Sequence, residues 1–548
     1  MPAPHPKPPA GHAGMSPAET FAVGSLAAAA GVAGLVWATG QLTARTTSGR
    51  WLDLSAADLP GVLMRLVQDP GRPAAAFDAP GLLPGPVGFW TLAAALLLVP
   101  LLGAVGLARY HTGTRKNDDG PEPARWATAK DLKPLMVAKP TPGRITLGTA
   151  HGKLLAAEPG HSLLVMGPTQ SGKTSGLAIP AIRDWPGPIL ATSVKSDLLD
   201  DTLAARTPKG EVWVYDPTST VDTVPTASWS PLAGCHTWQG ALRTASWLTD
   251  AARHDGPGDA DFWLANAAKL LAPLLYAAAT SGRTITDVVR WVDTQEAKEP
   301  RLELEAAGTP EAITALEASL GREERARSSV YTTAETVLRA FADPQVANNS
   351  YTSEIDPDRL LNGGAHTLYV SAPLHEQERL RPLFTALIQT VLTTAHQRAA
   401  NHGRLDPPLL VVLDEAANIA PLRDLPQLAS TAAGLGIQLV TVWQDKAQIA
   451  ARYRESAATV VNNHRAKLLL SGIHDRATTD ELTAVLGDTE VTRRTTSTNP
   501  SGQSTSEAQQ LRPLATAATL RQARPFEGVL LYGTLPPCSI RLSGRMAG

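Results

Sequence analysis

Short, uninterrupted apolar runs recur along most of the chain, at residues 163–167, 188–193, 212–217, 367–373, 409–415, 437–443, 467–472 and 528–534. Apolar positions in these runs are continuous rather than alternating. That is the pattern of strands buried on both faces, as in a parallel sheet covered by helices. Helical periodicity separates several of the runs, which predicts an α/β fold. Between about residues 238 and 361 the pattern changes. Segments 265–280, 284–295 and 310–342 have helical spacing, and no apolar strand clearly interrupts them. An all-α insertion over 238–361 is therefore expected, splitting an α/β domain into 131–237 and 362–548.

The first 130 residues follow a different rule. Residues 1–18 are rich in Pro, Ala, Gly and His, the composition of a disordered N-terminus. A charge-free stretch follows at about 20–40. A second and more apolar stretch runs over 87–108, contains Pro100 and is followed by Arg109. At ~1.5 Å per residue each can cross a hydrocarbon layer of ~30 Å. The small residues of the first are suited to helix–helix packing in a bilayer. Only Lys7 precedes it as a basic residue, and it is long for a signal-peptide core. The expectation is a membrane anchor over 19–110 with two transmembrane helices and a small extracytoplasmic segment. A polar Pro/Gly linker over 111–130 joins it to the α/β domain. Charge does not orient the anchor, because Lys7, Arg109, Arg115 and Lys116 on one side face Arg45, Arg50, Arg65 and Arg72 on the other.

Composition narrows the function classes. Hydrophobic residues make up 43% and charged residues 18% of 548, which is globular. A net charge of −2 excludes nucleic-acid attraction by the protein as a whole, so any such contact requires a local basic surface or one assembled by several subunits. The two cysteines, Cys235 and Cys538, lie far apart and match no zinc spacing. They are expected to be packed thiols in a reducing compartment.

The chemistry-bearing residues cluster around two of the runs. Gly167-Pro168-Thr169-Gln170-Ser171-Gly172-Lys173-Thr174 fits G-x-x-x-x-G-K-[ST], follows an apolar strand and leads through Ser175 into a helical run. Glycines let such a turn aim backbone N–H groups at phosphate oxygens, and the helix N-terminus adds its dipole. Lys173 is expected to reach the β- and γ-phosphates of ATP, and Thr174 to ligate Mg²⁺. The run at 409–415 ends in Asp414 and Glu415. Asp414 is expected on the metal side, and Glu415 as the base that orients and deprotonates the attacking water. A strand-ending acid pair alone is more often a solvated strand end; the P-loop in the same chain gives it meaning. Gln444, after the run at 437–443, is a candidate γ-phosphate sensor. The loop and the acid pair are expected on neighbouring strands, facing one cleft. Residues 486–513 read as two polar extended arms of a hairpin around 499–502, with Arg493 and Arg494 as candidate phosphate contacts.

These segments, in order, resemble the type IV secretion coupling proteins of TraG/TraD type over essentially the whole chain. The likeness rests on two spans before the motor, GPTQSGKT at 167–174, SVKSDL at 193–198 and VYDP at 214–217. It continues through WSPL at 229–232, DFW at 261–263, LDEAANI at 413–419, GIQLVTVWQD at 436–445 and NNHRAKLLLSG at 462–472. The resemblance implies a RecA-like P-loop NTPase domain with an all-α insertion, a Mg²⁺-dependent ATPase working as a ring, expected to be a hexamer. It implies an inner-membrane, multi-pass protein with its ATPase domain in the cytoplasm. Its partners would be single-stranded DNA, a relaxase and the components of a type IV secretion channel. Related ring motors often place an arginine before the sensor strand, where this chain has Ala432 and Ala433. A trans-acting arginine would then come from elsewhere, with Arg423, Arg452, Arg454 and Arg465 as candidates. Two other readings remain. One is an FtsK-like translocase of double-stranded DNA, which would usually end in a basic winged helix, for which the residues after 534 leave no room. The other is a membrane scaffold or substrate receptor with a structural nucleotide site.

Overall fold

All eight apolar runs become strands of one sheet, because each is rich in β-formers and has a covered surface on both sides. The computed structural model describes residues 17–98, 123–193, 197–220, 224–252, 260–419, 421–499 and 502–543. By its internal contacts the chain divides into two units, 1–122 and 123–548.

In the larger unit the strands are β1 (Met136–Val137), β2 (Thr146–Ala150), β3 (Lys153–Ala156), β4 (Leu163–Met166), β5 (Ile189–Ser193), β6 (Val212–Tyr215) and β7 (Thr367–Ser371). They continue with β8 (Leu409–Leu413), β9 (Ile437–Trp443), β10 (Ala466–Leu470), β11 (Asp488–Asn499), β12 (Gly502–Pro513), β13 (Glu527–Tyr532) and β14 (Cys538–Arg541). Twelve of them form one sheet in the order β1-β3-β2-β14-β13-β10-β4-β9-β8-β5-β7-β6. From β10 to β6 every pair is parallel. Beyond β10 the sheet turns antiparallel. The sheet is thus mixed, which corrects the expectation of a parallel one. The sequence reading missed β1, β2, β3 and β14 because they are short and part-exposed, without the continuous apolar run that marks the centre.

Every residue of β4, β5, β7, β8 and β9 is buried. One apolar layer includes Leu163, Val165, Leu177, Ile182 and Val440. The layer on the other face includes Leu164, Val411, Leu439 and Leu387, and extends without a break into Leu270, Leu274 and Trp291. Those last residues belong to the helical segment. From Trp238 to Leu360 the regular elements among the described residues are all helical, the longest being Ala260–Thr280. That helix is also the one long and apolar enough to cross a membrane among the described residues, yet 67% of its apolar window is buried inside the protein. It is a core helix, and Pro273 lies inside it.

At the carboxyl end of β6, Asp216 accepts from the Thr218 and Thr220 hydroxyls, closing the turn. At the opposite end of the sheet, Arg206 is fully buried, with no carboxylate partner among the described residues. Its guanidinium donates to the carbonyls of Trp185, Gly187 and Ala365 and to Thr367 Oγ1. β11 and β12 pair only with each other over their whole length, in the expected hairpin register. Arg494 is tied to Glu507 across this hairpin at 2.5 Å.

The smaller unit contains helices Pro17–Ser48, Leu59–Gln68 and Pro73–Ala76 and the apolar helix Pro86–Leu98. Val62, Leu66, Phe77 and Phe89 form its small core, with the Phe77 and Phe89 rings 5.6 Å apart. Gln41 fixes the return of the chain by bonding both the N–H and the carbonyl of Leu52, each at 2.9 Å. The first expected span lies within helix Pro17–Ser48. The second begins in Pro86–Leu98, with residues 99–108 outside the described residues, as are residues 1–16 and most of the linker.

Candidate nucleotide site

The turn after β4 bends as the motif demands. Gly172 has φ 95° and Gln170 φ 64°, both left-handed. The loop is hung on the sheet at its start, where Gly167 N–H donates to the Trp443 carbonyl at 3.2 Å. Ser171 is buried and its hydroxyl turns back onto the Pro168 carbonyl at 2.8 Å. The helix after the loop opens with a π-helical turn over Thr174–Ala178, a distortion that recurs at functional sites.

Asp414 and Glu415 follow β8. That strand is not the neighbour of β4, because β9 lies between them. The expectation of neighbouring strands is corrected on this point. Strand adjacency was the wrong criterion, since side chains leaving the carboxyl ends of strands one apart still converge. Thr174 Oγ1 donates to Asp414 Oδ2 at 3.0 Å. The Asp414 carbonyl is in turn held by the Thr192 hydroxyl at 3.1 Å. Thr169, Gln170, Gly172, Lys173, Thr174 and Ser175 form one wall of an open cleft, with Asp414 and Glu415 opposite. Gly167, Pro168 and Ser171 do not line it. Gln444 follows β9 between the two walls. It is half-buried, its N–H bonded to Gln448 Oε1 at 3.0 Å, and it does not line the cleft.

Burial dominates the electrostatics. It pushes the Asp414 carboxyl up to about 6. Glu415 and Asp197 push the same way, while the Thr174 hydrogen bond and Lys173 oppose. Burial likewise holds the Lys173 ammonium below its usual range, against the pull of Asp414 and Glu415. Lys173 Nζ donates to the carbonyls of Gly167 and Pro168, the latter at 2.6 Å. Glu415 has φ 53°, so its backbone is strained as well as its position specific. Asn418 Nδ2 donates to its Oε2 at 3.1 Å.

Mg²⁺ and a triphosphate fit this donor set. A buried carboxylate and a hydroxyl already within hydrogen-bond distance present oxygen ligands, and a lysine donating to carbonyls of its own loop can turn to phosphate. Sequence reasoning missed Asn418, Ser193, Asp197 and Asp201. The last three line the cleft, and the SVKSDL and LDEAANI segments were a signal for Ser193, Asp197 and Asn418 but not for Asp201.

Of the two positions where related ring motors can carry an arginine, Ala432 is fully buried and Ala433 is half-buried beside Gly160. Three of the alternative arginines, Arg423, Arg452 and Arg454, line one polar cleft beside helix Trp238–Ala251. Arg423 pairs with Asp250 at 3.2 Å, and Arg452 donates to the Pro421 carbonyl at 2.9 Å. Arg465 packs beside Gly533 instead.

Fold and site together define an α/β protein of the P-loop nucleotide-binding class. Residues 125–542 match the family described as type IV secretory system conjugative DNA transfer, and the chain belongs to that family. Among curated relatives, the conjugal transfer protein TraG of Escherichia coli is 26% identical over 407 residues, covering 65% of this chain and 63% of the relative. TraG of Agrobacterium fabrum (strain C58) is 25% identical over 408 residues, covering 72% and 60%. The chain thus spans somewhat under two-thirds of the length of these relatives. Among solved structures, the unbound conjugative coupling protein TrwBΔN70 matches with a TM-score of 0.59 at 20% identity, over 77% of this chain and 93% of that one. Plasmid coupling protein TrwB in complex with ADP and Mg²⁺ matches with a TM-score of 0.59 at 19% identity, over 78% and 95%. At these identities the likeness establishes the fold.

Proposed function

We propose that the chain is the membrane-anchored ATPase of a conjugative type IV secretion system, coupling ATP hydrolysis to passage of relaxase-bound single-stranded DNA into the channel. The observation that carries this reading is the 3.0 Å contact between Thr174 and Asp414, in a chain of the conjugative DNA-transfer family. That contact supports reading the loop and Asp414 as the phosphate and metal sides of one site. The mixed sheet with its helical segment then acts as a RecA-like motor. The two N-terminal spans anchor it in the inner membrane, and subunits assemble as a ring, taken to be a hexamer.

Within the site, Thr174 and Asp414 would hold Mg²⁺, which when bound would neutralise charge on the β- and γ-phosphates. Lys173 leaves the Gly167 and Pro168 carbonyls and donates to the phosphate oxygens. Glu415, its carboxylate steadied by Asn418, accepts the proton of the attacking water.

The test is the ATPase rate of the detergent-solubilised full chain with single-stranded or duplex DNA. Single strands should stimulate, and stimulation should fall steeply with salt as phosphate contacts are lost. Stimulation by duplex alone would move the reading to a double-strand translocase, and indifference to both would remove DNA as the cargo.

A further inference from the structure

We infer that Phe526 is a positioning residue for the phosphate loop, its ring bracing the two glycines on either side of Lys173, Thr174 and Ser175. The inference rests on the nucleotide-site reading above. Phe526 is the residue before β13 and has φ 67°. A bulky aromatic in the left-handed region is an outlier, and it persists only where its surroundings hold it there. Two contacts do so. Its carbonyl accepts the Leu542 N–H at 2.7 Å, and Glu527 N–H closes the preceding turn onto the Arg524 carbonyl at 3.0 Å. The ring is half-buried against the apolar layer under β4.

The ring is directed at the loop. A Cβ placed on Gly172 would lie 2.5 Å from Phe526 Cδ1, and one on Gly176 would lie 3.1 Å from the same atom. The phosphate-loop pattern explains Gly172 but makes no demand at position 176. The structure supplies the reason for a glycine there: Phe526 and Leu542 occupy the space, with Leu542 Cβ at 2.9 Å. Gly176 N–H also donates to the Gly172 carbonyl at 2.8 Å, so the two glycines form one turn of the chain beneath the ring. β13, which Phe526 leads into, pairs with β10, which pairs with β4. The sheet therefore links the brace to the strand that launches the loop. A brace of this kind holds the Gly172, Lys173 and Thr174 N–H groups on their phosphate-facing course before nucleotide arrives, which lowers the ordering cost of binding.

The test compares Phe526→Ala, Phe526→Gly and Phe526→Tyr in the full chain, with Mg²⁺-ATP and Mg²⁺-tripolyphosphate as probes. Phe526→Gly removes the ring and the backbone strain together, so its melting temperature should not fall below that of Phe526→Ala. Both ring-deleting variants should weaken ATP and tripolyphosphate by the same factor, about tenfold or more, while Phe526→Tyr stays near the parent. KM for ATP should rise more than kcat falls. Unchanged binding of both probes by Phe526→Gly would overturn the inference. So would loss of ATP affinity alone, since that places the ring against the base rather than the loop. Lys173→Ala separates the two levels: if it too leaves tripolyphosphate binding intact, the nucleotide site itself is wrong.

Discussion

Thr174 and Asp414 stand 240 positions apart in sequence, yet the Thr174 hydroxyl donates to the Asp414 carboxylate at 3.0 Å. One residue opens the helix after the phosphate loop and the other follows β8, with β9 between their strands. On the function proposed above, these two side chains would share one divalent cation.

The first prediction follows from that pairing. Thr174→Val and Asp414→Asn should each raise the Mg²⁺ concentration needed for half-maximal nucleotide binding. The two losses should be non-additive, with a coupling of about 1 kcal/mol, because either change removes the shared site. Mg²⁺ titration of nucleotide binding in a double-mutant cycle measures this, and strict additivity would argue that the residues serve separate ligands.

Lys173 and Glu415 separate binding from chemistry. Lys173→Ala should weaken nucleotide binding and abolish turnover, since it removes the cation that reaches the phosphates. Glu415→Gln keeps the Asn418 contact and the shape of the side chain but not its basicity. Turnover should drop by roughly 10²-fold or more with ATP binding retained. Equilibrium binding beside steady-state ATPase assays decides it, and normal hydrolysis by both variants would remove the assignment.

His464 predicts acid sensitivity of the fold. It is fully buried, with Nδ1 on the Val460 carbonyl at 2.7 Å and Nε2 on Thr441 Oγ1 at 3.1 Å. Burial first, and Lys467 second, push its imidazole down to about 4, against the Val460 hydrogen bond. Above the ordinary histidine range, near 6.5, it is neutral folded and unfolded and changes nothing. As pH falls between the two values, the unfolded chain takes up a proton that the native site refuses, so stability declines. From about pH 7 to about pH 5 the loss should be about 2 kcal/mol. Denaturant unfolding at the two pH values should show this slope, and His464→Gln should flatten it. An equal slope in both proteins would place the acid sensitivity elsewhere.

How much of this was legible beforehand depended on whether the signal was local. The eight strand runs were readable because burial on both faces forces continuous apolar sequence, as in Val411, Val412 and Leu413. β14 was not readable, since Cys538–Arg541 alternates buried and exposed residues over four positions and resembles a loop. The phosphate loop was readable because its function is carried by one contiguous turn. Asn418 and Asp197 fall inside the LDEAANI and SVKSDL segments, but only packing singles them out from the other polar residues there. Gln444 was expected in the site by its place at a strand end. The strand does end there, but the cleft is lined without it.

The sequence by itself determined the local chemistry: which segments become buried strands, where a glycine turn can face phosphate, and which two acids close a strand. Short-range sterics and the need to bury apolar side chains suffice for those. Tertiary structure alone decided which ends meet. The insertion of β9 between β4 and β8, the antiparallel extension beyond β10 and the arrival of Phe526 on Gly172 and Gly176 are all long-range choices. They are settled by how two apolar layers close over one sheet, and no window of sequence contains both partners.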